Sequence, residues 1–311
     1  FTSVGAVDLN GNFATTGFQK YEGNVALAGD SALSGTTASF SGAIEGNSNN
    51  LTLNMSGLSS LTGGLNNVTN FGASGDIELG GNFSTSGTQT FGGNVALAGD
   101  TSMSGVDATF SGITGNGYDL SLNYSGGAIS LGGFSNVANF TSFGAVSFDG
   151  SFTTSDGDIL LLGQGTSGAS LGLAGDTTID VGAGEFSIQQ GSSATSVGGL
   201  IYSQGENTFH NLSITAGNIT VPVGIGVAAG SLNVATPQLG NLTINGSGQV
   251  GLKTSQVVTT GDFISNAQLR IYQDTALTSG AGSINLTQGV NNGSKALILG
   301  DSNQTGDIFI G

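Results

Sequence analysis

Along the chain, apolar and polar residues alternate in runs of three to five positions, as in VAL (25–27), LTLNM (51–55), IEL (77–79), LSLNY (120–124) and INL (284–286). A period of two sends successive side chains to opposite faces, so each run predicts a β-strand with one buried face. Clusters of Gly, Asn, Asp and Ser separate the runs. Gly and Asn tolerate positive φ, and Asp and Ser bond their own backbone, so these clusters predict turns. No amphipathic helical stripe interrupts the pattern. The expected fold class is all-β.

The pattern repeats on a longer scale. FTSVGAVDLNGNFATTG (1–17), FGASGDIELGGNFSTSG (71–87) and FTSFGAVSFDGSFTTSD (140–156) align without gaps from Phe1, Phe71 and Phe140. NVALAGD recurs identically at 24–30 and 94–100, LGLAGD ends at Asp176, and Phe40, Phe110 and Phe186 follow the three aspartates at a constant interval. LTLNMSG (51–57) is matched by LSLNYSG (120–126). The divisions are therefore repeat 1 (1–70), repeat 2 (71–139), repeat 3 (140–208, with an insertion expected near 159–164) and a degenerate continuation (209–311). Phe1 falls on a repeat boundary and GDIFIG (306–311) echoes GDIELG (75–80), so both ends read as cut from a longer pattern.

A unit of about 70 residues exceeds the roughly 20 to 25 residues of one β-helix coil and reads as about three coils. In a solenoid, successive coils lie about 4.8 Å apart and each inward side chain packs on its counterparts above and below. Small and β-branched residues suit that interior, recurring Phe predicts aromatic stacks, and Asn predicts hydrogen-bonded ladders. About 13 coils at that rise give a rod of roughly 60 Å. An antiparallel sandwich is the competing arrangement, but a separate sandwich per repeat would be short for that fold.

Composition narrows the function. The chain has 311 residues with 57 Gly, 2 Pro, no Cys and 8% charged residues, yet spreads Val, Ile, Leu and 17 Phe throughout, which predicts folding rather than disorder. Lack of cysteine excludes disulfides, thiolate metal sites and Cys nucleophiles. Twenty Asp and Glu face only Lys20, Lys253, Arg270 and Lys295, for a net charge of −16. That balance excludes a nucleic-acid partner and argues against anionic membranes. It also leaves no trypsin-type site between Lys20 and Lys253. No apolar run is long enough to span a bilayer as a helix.

FGGNVALAGDTSMSG (91–105) and NTFHNLSITAGNIT (207–220) resemble the repeats of filamentous-haemagglutinin-like and large autotransporter-type bacterial surface adhesins. The resemblance implies a right-handed parallel β-helix, export through an outer-membrane pore, and a role in adhesion, matrix or filaments. It also implies an extracellular or bacterial cell-surface location. Its expected partners are neighbouring copies or flanking repeats of the same protein, and surface glycans. The Asn-Pro motif of the family's secretion domain is not among these residues.

Candidate chemistry is sparse. His210 is the single histidine, which excludes multi-histidine metal sites; it reads as a structural residue at a strand start. Asp30, Asp100 and Asp176 of the AGD turns, and Asp156 with Asp158 in SDGD, are the candidate calcium ligands, with turn capping as the competing role. No other cofactor is expected. A glycan-cleaving β-helix would need paired carboxylates, or calcium with Arg270 as base. Such an active site belongs to one special coil, whereas these carboxylates recur by repeat, so no catalytic residue is assigned. Thr15 with Thr16 and Thr153 with Thr154 suggest a surface-binding threonine array, but recur only at the long period. Asn-x-Ser/Thr sequences at Asn50, Asn54, Asn67, Asn82, Asn123, Asn139, Asn211, Asn218 and Asn241 are expected by chance at this composition. The reading is a secreted, non-catalytic structural or adhesive solenoid, with a glycan-binding or glycan-cleaving β-helix as the alternative.

Overall fold

The computed structural model describes residues 1–126, 129–163, 169–189, 200–204, 209–216, 218–221, 224–225, 239–246, 249–252 and 254–311. These residues form an all-β, parallel solenoid of about 13 turns, with no helix among them. Their ladders run parallel, which is the arrangement of a coiled chain and not of a hairpin-linked sandwich. The chain divides into two compact units, Phe1–Asn139 and Phe140–Gly311.

In Phe1–Asn139 the strands fall into three stacks. The first runs through Thr2–Ser3, Gln19–Tyr21, Ala38–Phe40, Ser59–Leu61, 77–79, 95–97, 112–114 and Phe134–Val137. The second runs through 7–9, 25–27, Ile44–Glu45, Leu65–Val68, 81–85, 101–105 and Leu120–Tyr124. The third holds 11–14, 31–35, Leu51–Met55, Phe71–Ala73, 89–91, 108–110 and Ile129–Leu131. One turn therefore visits three strands. It closes between Thr2 and its partner Lys20, and takes slightly more chain to close between Ile44 and Leu65.

Alternation decides what each stack buries. Along the second stack Val25, Ile44, Leu65, Phe83, Met103 and Leu122 follow one another inwards, all buried. Their sequence neighbours Ala26, Glu45, Asn66, Ser84, Ser104 and Asn123 lie half-buried or exposed on the outer face. The expected aromatic stacks are present. The Phe1 ring tilts over Tyr21, which stacks on Phe40 at 4.7 Å; Phe71 tilts over Phe91, which stacks on Phe110 at 4.8 Å.

The corners are made by glycine in two ways. Gly11 (φ 96°) and Gly81 (φ 94°) sit at the register shift where one strand bends into the next, a left-handed conformation that glycine adopts without Cβ strain. At another corner Gly5, Gly23, Gly42 and Gly63 succeed one another turn by turn, packed so closely that a Cβ on Gly42 would lie 2.6 Å from the backbone of Gly23.

Phe140–Gly311 repeats the three-stack plan. One stack holds Phe140–Phe143, Ile159–Leu162, Glu185–Gln189, Asn218–Val221, Gln249–Leu252, Gln268–Ile271 and Val290–Asn291. The next holds 145–148, 170–173, Leu200–Ser203, Gly224–Ile225, Gln256–Val258, Thr275–Thr278 and Leu297–Leu299. The last holds 150–153, 177–180, 212–216, 242–246, Phe263–Ser265, Ile284–Leu286 and Ile308–Ile310. The turn is short from Phe140 to its partner Ile159, swells between Thr177 and Leu212, and shortens again between Leu242 and Phe263. The additional residues fall outside the paired segments. Of the segment expected as an insertion, Ile159–Leu162 is a rung paired on both sides, while Gln164 lies outside the described residues.

Ser142 points into this core, fully buried, and its hydroxyl has no hydrogen-bond partner among the described residues. An unsatisfied buried hydroxyl costs about 1–3 kcal/mol. Ser142→Ala is therefore expected to stabilise the protein by roughly 1 kcal/mol in denaturant titration; a destabilised variant would mean that the hydroxyl is bonded in solution.

Candidate functional site

The candidate carboxylates all sit at strand starts or corners, where the chain is delivered into the next strand. Asp30 precedes the inward Ser31, and its partner across the turn is Asn50. The Asn50 backbone N–H donates to Asp30 Oδ1 at 2.9 Å and its Nδ2 donates to Oδ2 at 3.0 Å. Asn70 then donates through backbone N–H and Nδ2 to Asn50 Oδ1, and Thr88 donates to Asn70 Oδ1. Four successive turns are thus laced by one file, in which Asp30, Asn50 and Asn70 each offer an oxygen to the turn that follows.

Asp100 begins a second file. The Asp119 backbone N–H donates to Asp100 Oδ1 at 3.1 Å, and Asn139 donates through backbone and side chain to Asp119 Oδ1. Asp176 begins a third in the other unit, accepting from the Asn211 backbone N–H (2.9 Å) and Nδ2 (3.0 Å); Asn241, Asp262 and Ser283 continue it through their backbone N–H groups. All three AGD aspartates therefore make the same bond to the next turn. An ionised acceptor suits that place, since charge-assisted bonds to backbone N–H are the stronger kind.

Asp156 and Asp158 do comparable work at one corner. Asp158 Oδ1 accepts from the Glu185 backbone N–H at 2.8 Å, and Asp156, itself left-handed at φ 66°, accepts more distantly from Ala183 N–H at 3.5 Å. Among the described residues no three of His, Asp and Glu gather as a metal would require. His210 Nδ1 lies 3.9 Å from Asp176 Oδ1, an ion pair only when the imidazole is protonated, and its backbone N–H donates to Ser203 Oγ. Arg270 is exposed, with its guanidinium 5.1 Å from the Tyr272 ring centre. Thr15 and Thr154 spend their hydroxyls on the carbonyls of Gly17 and Gly157. Lys253 lies outside the described residues. The asparagines of four Asn-x-Ser/Thr sequences, Asn50, Asn139, Asn211 and Asn241, are rungs of the ladders.

Polar contacts of another kind sit inside. Gln19 is buried; its Nε2 donates to the Phe13 and Ser34 carbonyls, and its Oε1 accepts from the Tyr21 hydroxyl at 2.8 Å. Gln89 repeats this with the Ser104 carbonyl, but its hydroxyl donor is Tyr124, from a later turn. Burial pushes the Tyr21 phenol up to about 12 and raises Tyr124 as well, so both stay protonated donors at neutral pH. These glutamines hold corner carbonyls in the apolar interior. The Gln at 19 and 89 is a recurring signal in the sequence; the distant tyrosine is not.

The ladders make stability depend on pH in a defined direction. The backbone bond from Asn50, then its side-chain bond, holds the Asp30 carboxyl below its ordinary 3.8; Asn211 does the same for Asp176, with a smaller contribution from His210. A carboxyl lowered in the folded state adds stability above its unfolded pKa, and that increment is lost as pH falls through the folded value. Tm is expected to hold from neutrality to about pH 4 and to fall below it, with a shallower acid limb in the Asp30→Asn, Asp176→Asn double variant. An unchanged acid limb would show that these bonds carry no weight.

The described residues also line a shallow, open recess of about 310 Å³, formed by Gly182, Thr215, Ala216, Asn245, Gly246 and Asn266. Its lining holds no ionisable side chain. Searches against protein-family models, curated proteins and solved structures return no match to this chain.

Proposed function

We propose that the chain is a secreted, non-catalytic, structural or adhesive solenoid, a rod-like part of a bacterial surface adhesin or extracellular filament. In this reading it is a right-handed parallel β-helix whose long repeats, opening at Phe1, Phe71 and Phe140, serve length and lateral contact. The observation that carries it is the use of the carboxylates. Asp30, Asp100 and Asp176, the recurrent acids that chemistry would have to employ, each spend an oxygen on the next turn of the coil. Groups committed to holding turn on turn contribute to persistence along an axis rather than to a reacting centre. The charge of −16, with four basic residues, supports an exposed molecule that repels nonspecific association and offers few sites to trypsin-type proteases.

Electron microscopy of the purified chain and of its native assembly tests the proposal, with unbranched rods expected. Isolated globules would overturn the solenoid rod. Reducing ends released from a polysaccharide panel would overturn the non-catalytic assignment in favour of a glycan-cleaving β-helix. Calcium enters separately: a chelator is expected to leave Tm unchanged, and a lowered Tm would assign the ion to the aspartate corners.

A further inference from the structure

The sequence repeat and the structural turn are out of step. Phe1 and Phe71 are equivalent in sequence, yet Phe1 leads into the first stack of its unit and Phe71 opens a strand of the third. Between them the chain completes three turns of three strands and two strands more, which is eleven. The same displacement holds for the other matched pairs in this unit. Val25 of NVALAGD lies in the second stack and Val95 in the first; Leu51 of LTLNM lies in the third and Leu120 of LSLNY in the second. Corner glycines move likewise, Gly11 bending the chain from second stack to third and Gly81 from first to second.

We infer that the repeat is a unit of eleven strands, so that its second copy presents its surface on a different face of the solenoid from its first. Three-strand turns and an eleven-strand repeat share no common multiple below 33 strands, so at this advance a surface position returns to its own face only after three copies. The geometry requires that the three faces be interchangeable. Two of the three corners take the same glycine bend, at Gly11 and at Gly81, and each stack is built of short paired segments.

The consequence concerns partners. A flat lattice that read the repeat would need its contacts on one face at regular intervals; here consecutive copies turn away from it. The arrangement suits partners that meet the molecule from several sides, such as lateral neighbours packed around it. It also agrees with setting aside a threonine array at Thr15 and Thr16, since their equivalents in the next copy, Thr85 and Ser86, follow the second stack and not the third. The inference stands on strand register alone and does not require the adhesin reading.

Because the chain contains no cysteine, pairs of spin labels can be placed without background. Thr52 and Ser121 are sequence equivalents on different faces; Thr52 and Ser130, further apart along the chain, share one face and are linked through Gly72, Thr90 and Thr109. Pulsed electron paramagnetic resonance on the full chain is expected to give the longer distance for the Thr52/Ser121 cysteine pair, because both pairs span about four turns and only Thr52/Ser121 adds a lateral separation of about 10 Å between faces. A Thr52/Ser121 distance equal to or shorter than Thr52/Ser130 would overturn the eleven-strand unit. Ala26/Ala96 (different faces) against Ala26/Ser104 (same face) repeats the test with independent variants, should either first pair fail to melt like the parent.

Discussion

Phe91→Ala is expected to lower stability by about 3–5 kcal/mol, read as a reduced denaturant midpoint at unchanged m-value. Phe91 is 1% exposed, lies between Phe71 and Phe110 on its stack, and faces the latter ring at 4.8 Å and 9°. Truncation removes the burial of an aromatic side chain and both ring contacts at once. Collapse cannot refill the space, because the turns above and below are held at ladder spacing by their backbone hydrogen bonds on both sides of the strand. Phe91→Leu retains most of the volume and should cost less than half as much. A loss below about 1 kcal/mol for Phe91→Ala would mean that the turns slide to close the gap.

Gly42→Ala should cost about 1–3 kcal/mol although it adds one methyl group. That methyl would lie 2.6 Å from the carbonyl carbon and oxygen of Gly23, and 2.7 Å from the Asn24 nitrogen. These are backbone atoms of the preceding turn and cannot rotate away as a side chain would. Gly72→Ala is the matched control. It makes the same change in an outward strand position where nothing lies within 4 Å, so both variants gain the same stiffening of the unfolded chain. Gly72→Ala should therefore be neutral or slightly stabilising, and the difference between the two isolates the clash. Equal effects would show that the glycine corner is not tightly packed in solution.

The two substitutions probe different parts of what a local pattern reveals. The inward set is legible because alternation is a local property: Leu51, Leu53 and Met55 are separated by polar residues, and the structure buries those three. Turn positions are legible because Gly and Asn are the residues that tolerate positive φ, as Asn47 and Asn116 do here. Turn capping by the AGD aspartates and ladders of asparagine are legible too, but not which residues join in one file. Asp30, Asn50 and Asn70 follow one another at a nearly constant interval, as do Asp100, Asp119 and Asn139, and that interval marks one turn only once the turn length is known. Tyr124 reaching Gln89 has no sequence signal, since its counterpart at the equivalent position is Met55.

Read from residue pattern alone, the chain is built of short strands with one buried face, joined at glycine and asparagine corners, without cysteine chemistry and with a strongly acidic balance of charge. The parallel solenoid expected from the long repeat is what the ladders form, while the folded chain alone selects which strands stack and which oxygen each corner N–H finds. The division has one physical cause. Alternation records which side of a strand is buried, a matter of neighbours two positions apart. Pairing depends on a partner one full turn away, as near as Thr2 to Lys20 or as far as Thr177 to Leu212, and only closing the turn selects it.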